Sequence, residues 1–383
     1  MATAVTPIVL EERGTWRWYA HTDSIRGTTE ALSKLWVRVA QEATTSQELT
    51  SEAASAVARG DPRLARQLQV DGEAVRVRMR TSVLTLVVVA PRPEVVERTM
   101  AAVAMLSSRH PSRAIVLSPT DPDGPATFDA RLYASCQMPE RGSTEICTEE
   151  ILIKVGGELA QHLSSTVAPL LIHDLPVVLW WPDDVPFGRP DFTELAEETD
   201  RLHIDSGHFR GDGRDRLRGL AEAVAGGLVV HDVSWMRLML WRELLASCFD
   251  HPLLVRELRY LTAIRVDVAR PGVDIRLARA LLFVGWLMAR LRLGIEEPLA
   301  EREDGTWTAT LRSGRREVAV VVRPVEVEYS GAARSAGSLV RAEVATSRPE
   351  SHTAVNVTRQ ADHLLATALW NGASVTRRAH RRA

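Results

Sequence analysis

Cysteine is scarce in this chain. Cys136, Cys147 and Cys248 are the only three among 383 residues, and no Cys-x-x-Cys occurs. Their neighbours are mostly apolar, which fits a reducing cytoplasm better than a disulfide scaffold. No apolar run reaches ~18 residues, so no membrane span is expected. Met1–Val5 has no basic start leading into an apolar stretch, so no signal peptide is expected either. Lysine is nearly missing, and arginine supplies almost all of the 47 basic residues, which points to a GC-rich coding sequence and says little about function. The basic residues are offset by 49 acidic ones, for a formal charge of −2. With no excess of either sign, nucleic acid and anionic membrane are not expected partners.

The usual chemical signatures are also missing. No Gly-x-Gly-x-x-Gly follows a strand and no Gly-x-x-x-x-Gly-Lys-Ser/Thr occurs, so nucleotide binding has no motif to support it, and no cofactor is expected. Gly156-Gly157 precedes a helix-like stretch and could offer N–H groups to an anion, but Lys154 is the only basic residue near it, and a plain turn is the simpler reading. No Gly-x-Ser-x-Gly elbow exists. Ser164 and Ser165 stand beside His162 within a helical pattern, where hydroxyls usually bond back to the helix. His203, Asp205 and His208 come closest to a metal set, yet a fourth ligand is missing, so no metal is expected. Asp183-Asp184 could act as acid and base, or simply form a solvated loop.

What is present is ordinary globular material, 45% hydrophobic and 25% charged, in a length that suits two domains. Residues 1–28 read as an N-terminal arm carrying Trp16, Trp18 and Tyr19, aromatics that by default pack back on their own domain and otherwise dock on a partner. Residues 29–232 read as an α/β domain. Thr28–Gln41 is an amphipathic helix, Ser82–Ala90 a strand, Glu94–Ser108 a helix and Ala114–Leu117 the next strand, which makes a βαβ unit. Arg131–Gln137, Glu150–Val155 and Leu202–Asp205 read as further strands, with helices at Phe192–Asp200 and Arg214–Val224. The alternation predicts a doubly wound parallel or mixed sheet. Residues 233–371 read as an α+β domain: helices from Ser234 and Asp274, strands at Leu261–Val268, Trp307–Leu311, Glu317–Pro324 and Ser338–Ala345, and a last helix at Ala361–Trp370. Residues 372–383 read as a basic, disordered tail.

The chain is organised around Glu145–Pro186. The run Val177–Trp181 is short, apolar and bounded by prolines, as a strand buried on both faces would be. Trp180 and Trp181 are adjacent, so their side chains point to opposite faces. Core packing is the default for both. With Pro182, Pro186 and Phe187 they could instead form an aromatic shelf at the strand's carboxyl end, a surface that suits a protein partner. Arg113 could be a fork donor to a partner's carboxylate or a phosphate, or an ordinary surface arginine at a strand start.

Three stretches carry a family resemblance. The first runs from Ser164-Ser165 through Pro169-Leu170-Leu171 to Asp174-Leu175-Pro176-Val177 and Leu179-Trp180-Trp181-Pro182. The second is His110-Pro111-Ser112-Arg113-Ala114-Ile115. The third is Trp235, Leu238 and Trp241-Arg242-Glu243-Leu244-Leu245-Ala246, with Phe249-Asp250 behind it. Their order and spacing over residues 20–370 resemble the glucose-6-phosphate dehydrogenase assembly protein family, OpcA. The resemblance implies a non-catalytic protein that binds glucose-6-phosphate dehydrogenase and supports its activity. The candidate partner-binding residues are then His110, Arg113, Trp180, Trp181, Asp183, Phe187, Trp241 and Arg242. The alternative is an α/β enzyme or binding protein for a phosphorylated metabolite, which rests on fold analogy alone.

Overall fold

A computed structural model of the chain describes residues 6–7, 16–40, 78–107, 109–137, 145–327 and 335–380. The Ala/Arg-rich stretch 42–72 lies outside them. The chain forms two compact units: residues 1–203 with 224–231, and residues 204–223 with 232–383.

The first unit is built on a ten-stranded sheet. Its strands are β1 (Thr6–Pro7), β2 (Trp16–Thr22), β3 (Arg78–Arg80), β4 (Leu84–Val89), β5 (Ser112–Pro119), β6 (Thr127–Gln137), β7 (Glu145–Gly156), β8 (Val177–Trp181), β9 (Arg201–Ile204) and β10 (Val230–Asp232). The order is β1-β2-β6-β7-β5-β4-β8-β9-β10, with β3 beside β7. Its centre is parallel, β7-β5-β4-β8, while β6 and β2 join antiparallel. β4 and β8 are near-continuous apolar runs, as strands covered on both faces are, while β5 and β7 are apolar only in their carboxyl-terminal parts and carry Arg113, Glu149 and Glu150 nearer their amino ends.

The helices of the first unit are α1 (25–40), α2 (Pro93–Leu106), α3 (Glu158–Gln161), α4 (Leu163–Val167) and α5 (Pro190–Glu197). Helix α2 starts at Pro93, whose missing N–H costs nothing in a first turn, and buries Val95, Thr99 and Val103 at helical spacing. It seals one face over Val88, Val116, Leu152 and Trp180. Residues of odd number on β7 face the other way, and there Trp36 of α1 donates its indole N–H to Glu149. Trp181 also lies on that far face, edge-on to Phe192 of α5 at 5.7 Å. The two tryptophans thus enter opposite helix layers.

In the second unit α6 (Arg214–Ala225), α7 (Val233–Arg237), α8 (Met239–Cys248), α9 (Pro252–Glu257) and α10 (Ala278–Leu291) accompany an eight-stranded sheet. Its strands are β11 (Leu261–Ala269), β12 (Gly294–Glu301), β13 (Trp307–Ser313), β14 (Arg316–Val325), β15 (Leu339–Arg348), β16 (Ser351–Arg359), β17 (His363–Trp370) and β18 (Ala373–His380). The order is β12-β13-β14-β11-β15-β16-β17-β18. Only β11 and β14 run parallel. Trp241, Leu244 and Leu245 of α8 and Phe283, Val284 and Leu287 of α10 share one core with Ile264, Val320, Val344, Val355 and Ala366 of the sheet. The α/β class, with a mixed sheet followed by an α+β arrangement, is the one the residue pattern implies.

Residues 16–22 pack back on their own unit: β2 pairs with β6 from Trp16–Cys136 to Thr22–Ala130, and Trp18 is fully buried. Three expectations are corrected. Ala361–Trp370 is not a helix, because His363–Trp370 is strand β17. The basic tail is ordered from Ala373 to His380 as β18, paired with β17. Asn371 (φ 46°) and Gly372 (φ 86°) close that hairpin in the left-handed region that a tight Asn-Gly turn requires. Edge pairing uses backbone groups, so the arginines of β18 do not oppose it. Finally, Cys136 and Cys147 are cross-strand neighbours joined in a disulfide and only Cys248 is free, which departs from the reading of a reducing setting over disulfides.

Candidate functional site

In a parallel sheet, ligands bind beyond the carboxyl ends of strands where the strand order reverses. Here β4 is followed by β5 on one side and is later joined by β8 on the other, so that place lies beyond Val89 and Trp181. The segment after β4 reads Ala90-Pro91-Arg92-Pro93. Arg92 caps α2 and sends its guanidinium to Asp183, with Nε at 2.8 Å and Nη2 at 2.7 Å from Oδ2. The same arginine reaches Glu94 at 2.9 Å. Asp183 is 8% exposed.

An anion placed here would meet two prolines without N–H, the Glu94 carboxylate, and an arginine already spent on two acids. The Ala90 N–H is bonded to Leu117 O and the Val95 N–H to Arg92 O. These residues do not fit a dinucleotide pyrophosphate, which needs free N–H groups on a glycine turn. Gly156-Gly157 serves packing instead: the Gly157 N–H bonds Asp121 O, and a Cβ at Gly157 would stand 2.8 Å from the Ala126 nitrogen.

The opposite edge of this sheet holds a buried ion cluster. Arg113, at the start of β5, is 9% exposed and donates through Nε to Glu149, with Nη1 on the Leu170 carbonyl. Arg80 adds Nη2 at 3.1 Å to both Glu149 oxygens, and Trp36 Nε1 is 2.5 Å away. Arg113 is therefore not an ordinary surface arginine: its Nε and Nη1 donors are used inside the unit. Neighbouring Glu150, on the other face, pairs with Arg17 at 3.1 Å, and Arg17 lies over the Tyr133 ring. Burial lifts the Glu150 carboxyl above its ordinary value, with Arg17 pulling the other way.

The second unit has its own buried cluster. Asp205 accepts from Ser234 Oγ and Arg237, with Arg279 Nη2 at 3.4 Å. Arg279, 5% exposed, also donates to Ser234, Ser335 and Ser338. A Cβ on Gly207 would fall 2.2 Å from Arg279 Nη2, so only glycine allows this approach. Burial pushes the Asp205 carboxyl up, but Arg279, the Ser234 hydroxyl and Arg237 outweigh it and hold it low. Its oxygens accept from the Gly207 N–H and the Ser234 hydroxyl as well as from guanidinium groups. Ser165 and His162 form no dyad: Ser165 Oγ donates to the His162 carbonyl, and His162 Nδ1 faces Glu194 at 3.3 Å.

Within the first unit the candidate partner residues fall at two edges of the sheet. Trp181, Asp183 and Phe187 gather at the carboxyl edge of β8, where Phe187 and Trp181 both meet Phe192 edge-on. His110, exposed, and Arg113, buried, lie at the amino edge of the same parallel strands. Trp180 is half-buried under α2. Trp241 is 2% exposed in the second unit's core. Arg242, one residue on, is half-buried and lies 3.5 Å from the Trp235 ring centroid. Reading the sequence missed Arg92, whose signal is its place between two prolines at a strand end. It also missed Glu149, whose signal is an acidic pair opening a β-branched run.

Residues 103–222 match the family described as the glucose-6-phosphate dehydrogenase subunit N-terminal domain, and residues 228–373 match its C-terminal domain. The chain belongs to the OpcA family. A Nostoc punctiforme relative, provisionally named OxPP cycle protein OpcA, is 28% identical over 252 residues, which are 64% of this chain and 52% of that protein. A Synechocystis relative of the same name is 28% identical over 188 residues, 49% of this chain and 38% of that one. The chain thus spans about half the length, or less, of these relatives. Among solved structures, an NAD-binding oxidoreductase from Klebsiella pneumoniae is similar at a TM-score of 0.39 and 9% identity, over 78% of this chain and 80% of that one. No helix among the described residues is long and apolar enough to cross a membrane.

Proposed function

We propose that this OpcA-family chain is a non-catalytic partner of glucose-6-phosphate dehydrogenase that raises its activity in the oxidative pentose phosphate pathway. The observation that carries this reading is the pair of matches, over residues 103–222 and 228–373, to domains described as parts of a glucose-6-phosphate dehydrogenase subunit. The sheet's carboxyl edge supports it: the Arg92–Asp183 pair and flanking prolines fill the place where an α/β enzyme would hold a phosphorylated ligand.

With no catalytic group to lend, such a partner acts by favouring one state of the dehydrogenase. Purified dehydrogenase with and without this chain tests the reading. Co-migration on a sizing column and a faster rate at sub-saturating glucose 6-phosphate are expected. If the effect is on substrate affinity, glucose 6-phosphate tightens the dehydrogenase's grip on this chain by the same factor, of about 5–150-fold. No co-migration, with an unchanged rate at every substrate concentration, overturns the proposal.

A further inference from the structure

The third sequence stretch divides in two in the structure. Leu238 and Trp241, each 2% exposed, build the second unit's core. Trp235 and Arg242 have no place in that core. Trp235 is 39% exposed, and beside it Met236 and Met239 are 63% and 50% exposed. Trp235, Met239 and Arg242 are spaced i, i+4 and i+7 along α7 and α8, so they form one ridge.

The guanidinium of Arg242 lies over the Trp235 ring at 3.5 Å and donates Nη2 to the Trp235 carbonyl at 3.2 Å. These two contacts lock both side chains before any partner arrives, which lowers the ordering cost of binding. The Nε and Nη1 donors of Arg242 have no acceptor among the described residues. Burial pulls the guanidinium below its ordinary value, Glu243 opposes, and Arg290 pulls further. Arg290 makes no ion pair among the described residues. The ridge thus has the Arg242 cation, with Arg290 of α10 within electrostatic reach, against Glu243, together with a rigid aromatic and two flexible thioethers. Tryptophan, methionine and arginine are the types enriched at protein interfaces.

Resting on the reading that this chain binds the dehydrogenase, we propose that the Trp235–Met236–Met239–Arg242 ridge is its docking face, and that the occupant is a dehydrogenase segment presenting a carboxylate beside an apolar side chain. The carboxylate takes the open fork of Arg242, and the apolar group packs on the methionines.

The test uses the full chain and purified dehydrogenase, with affinity read by interferometry. Trp235→Ala, Met239→Ser and Arg242→Glu are each expected to weaken binding by at least about tenfold, while the melting temperature stays at the wild-type value. Val273→Ser, at a 97% exposed site in the same unit, binds as wild type. Wild-type affinity falls with added salt, and Arg242→Glu flattens that dependence. If wild type binds and the ridge variants bind equally well, the ridge is overturned and the function stands. If wild type does not bind, both fall. Variants that lose self-association but keep the dehydrogenase make the ridge a contact between copies of this chain, which also overturns the proposal.

Discussion

Arg92 and Asp183, 91 residues apart, meet through two nitrogens on a single carboxylate oxygen, at 2.7 and 2.8 Å, across the ends of β4 and β8. The place where a doubly wound sheet usually takes a ligand is here closed by the chain's own ions.

Arg92→Ala and Asp183→Ala should each lower stability by about 1–3 kcal/mol, because each leaves a charged hydrogen-bonding group without its partner. The double variant should lose less than the sum, with a coupling of about 0.5–3 kcal/mol. Urea midpoints measure this. Neither variant should gain affinity for NADP by fluorescence titration, since Pro91 and Pro93 remain. A gain would show that the ion pair alone blocks a nucleotide site.

Trp181→Ala removes a side chain that is 3% exposed, between β8 and Phe192. It should cost about 3–5 kcal/mol. Trp180 is only half-buried, so Trp180→Ala should cost less. Equal melting temperatures for Trp181→Ala and wild type would contradict the packing described.

Glu150 contributes a pH dependence of definite sign. Burial raises its carboxyl above the unfolded value. Between the two values the folded chain keeps a proton that the unfolded chain has released, so stability falls as pH rises through that window. Glu150→Gln removes the titration. The variant should therefore gain on wild type as pH rises above the ordinary glutamate value of about 4.3, then hold a constant difference. Urea midpoints at stepped pH measure this, and a variant that loses ground on rising pH rejects it.

Thiol counting on the denatured protein should find one thiol before reduction, from Cys248, and three after. Cys136 and Cys147 are separated by 11 residues, so reducing their bond should cost about 2–3 kcal/mol by loop-closure entropy. A melt unmoved by reductant would remove the disulfide from the account.

Local pattern was enough for the elements that local physics controls. Val177–Trp181 is a strand because it is short, apolar and bounded by prolines, and its period of two sends Trp180 and Trp181 to opposite layers. Helix α2 begins at Pro93 because the missing N–H is free of cost there. The Trp235–Asp250 stretch was one of three that carried the family resemblance. Yet periodicity did not separate Trp241 in the core from Trp235 at the surface as two halves of one motif.

The sequence by itself determined the α/β class, the central strand and the family to which the chain belongs. Only the tertiary structure decided what the charges do. Arg113 meets Glu149 across 36 residues, and Arg279 meets Asp205 across 74. Cys136 meets Cys147 by strand register. The reason is physical: an ion pair or cross-strand bond depends on which strands become neighbours and in what register. That follows from how the whole sheet buries its apolar faces, not from the residues on either side of one arginine. The same holds for β17 and β18, whose alternation is weak and whose strand state comes from pairing with β16 and with each other.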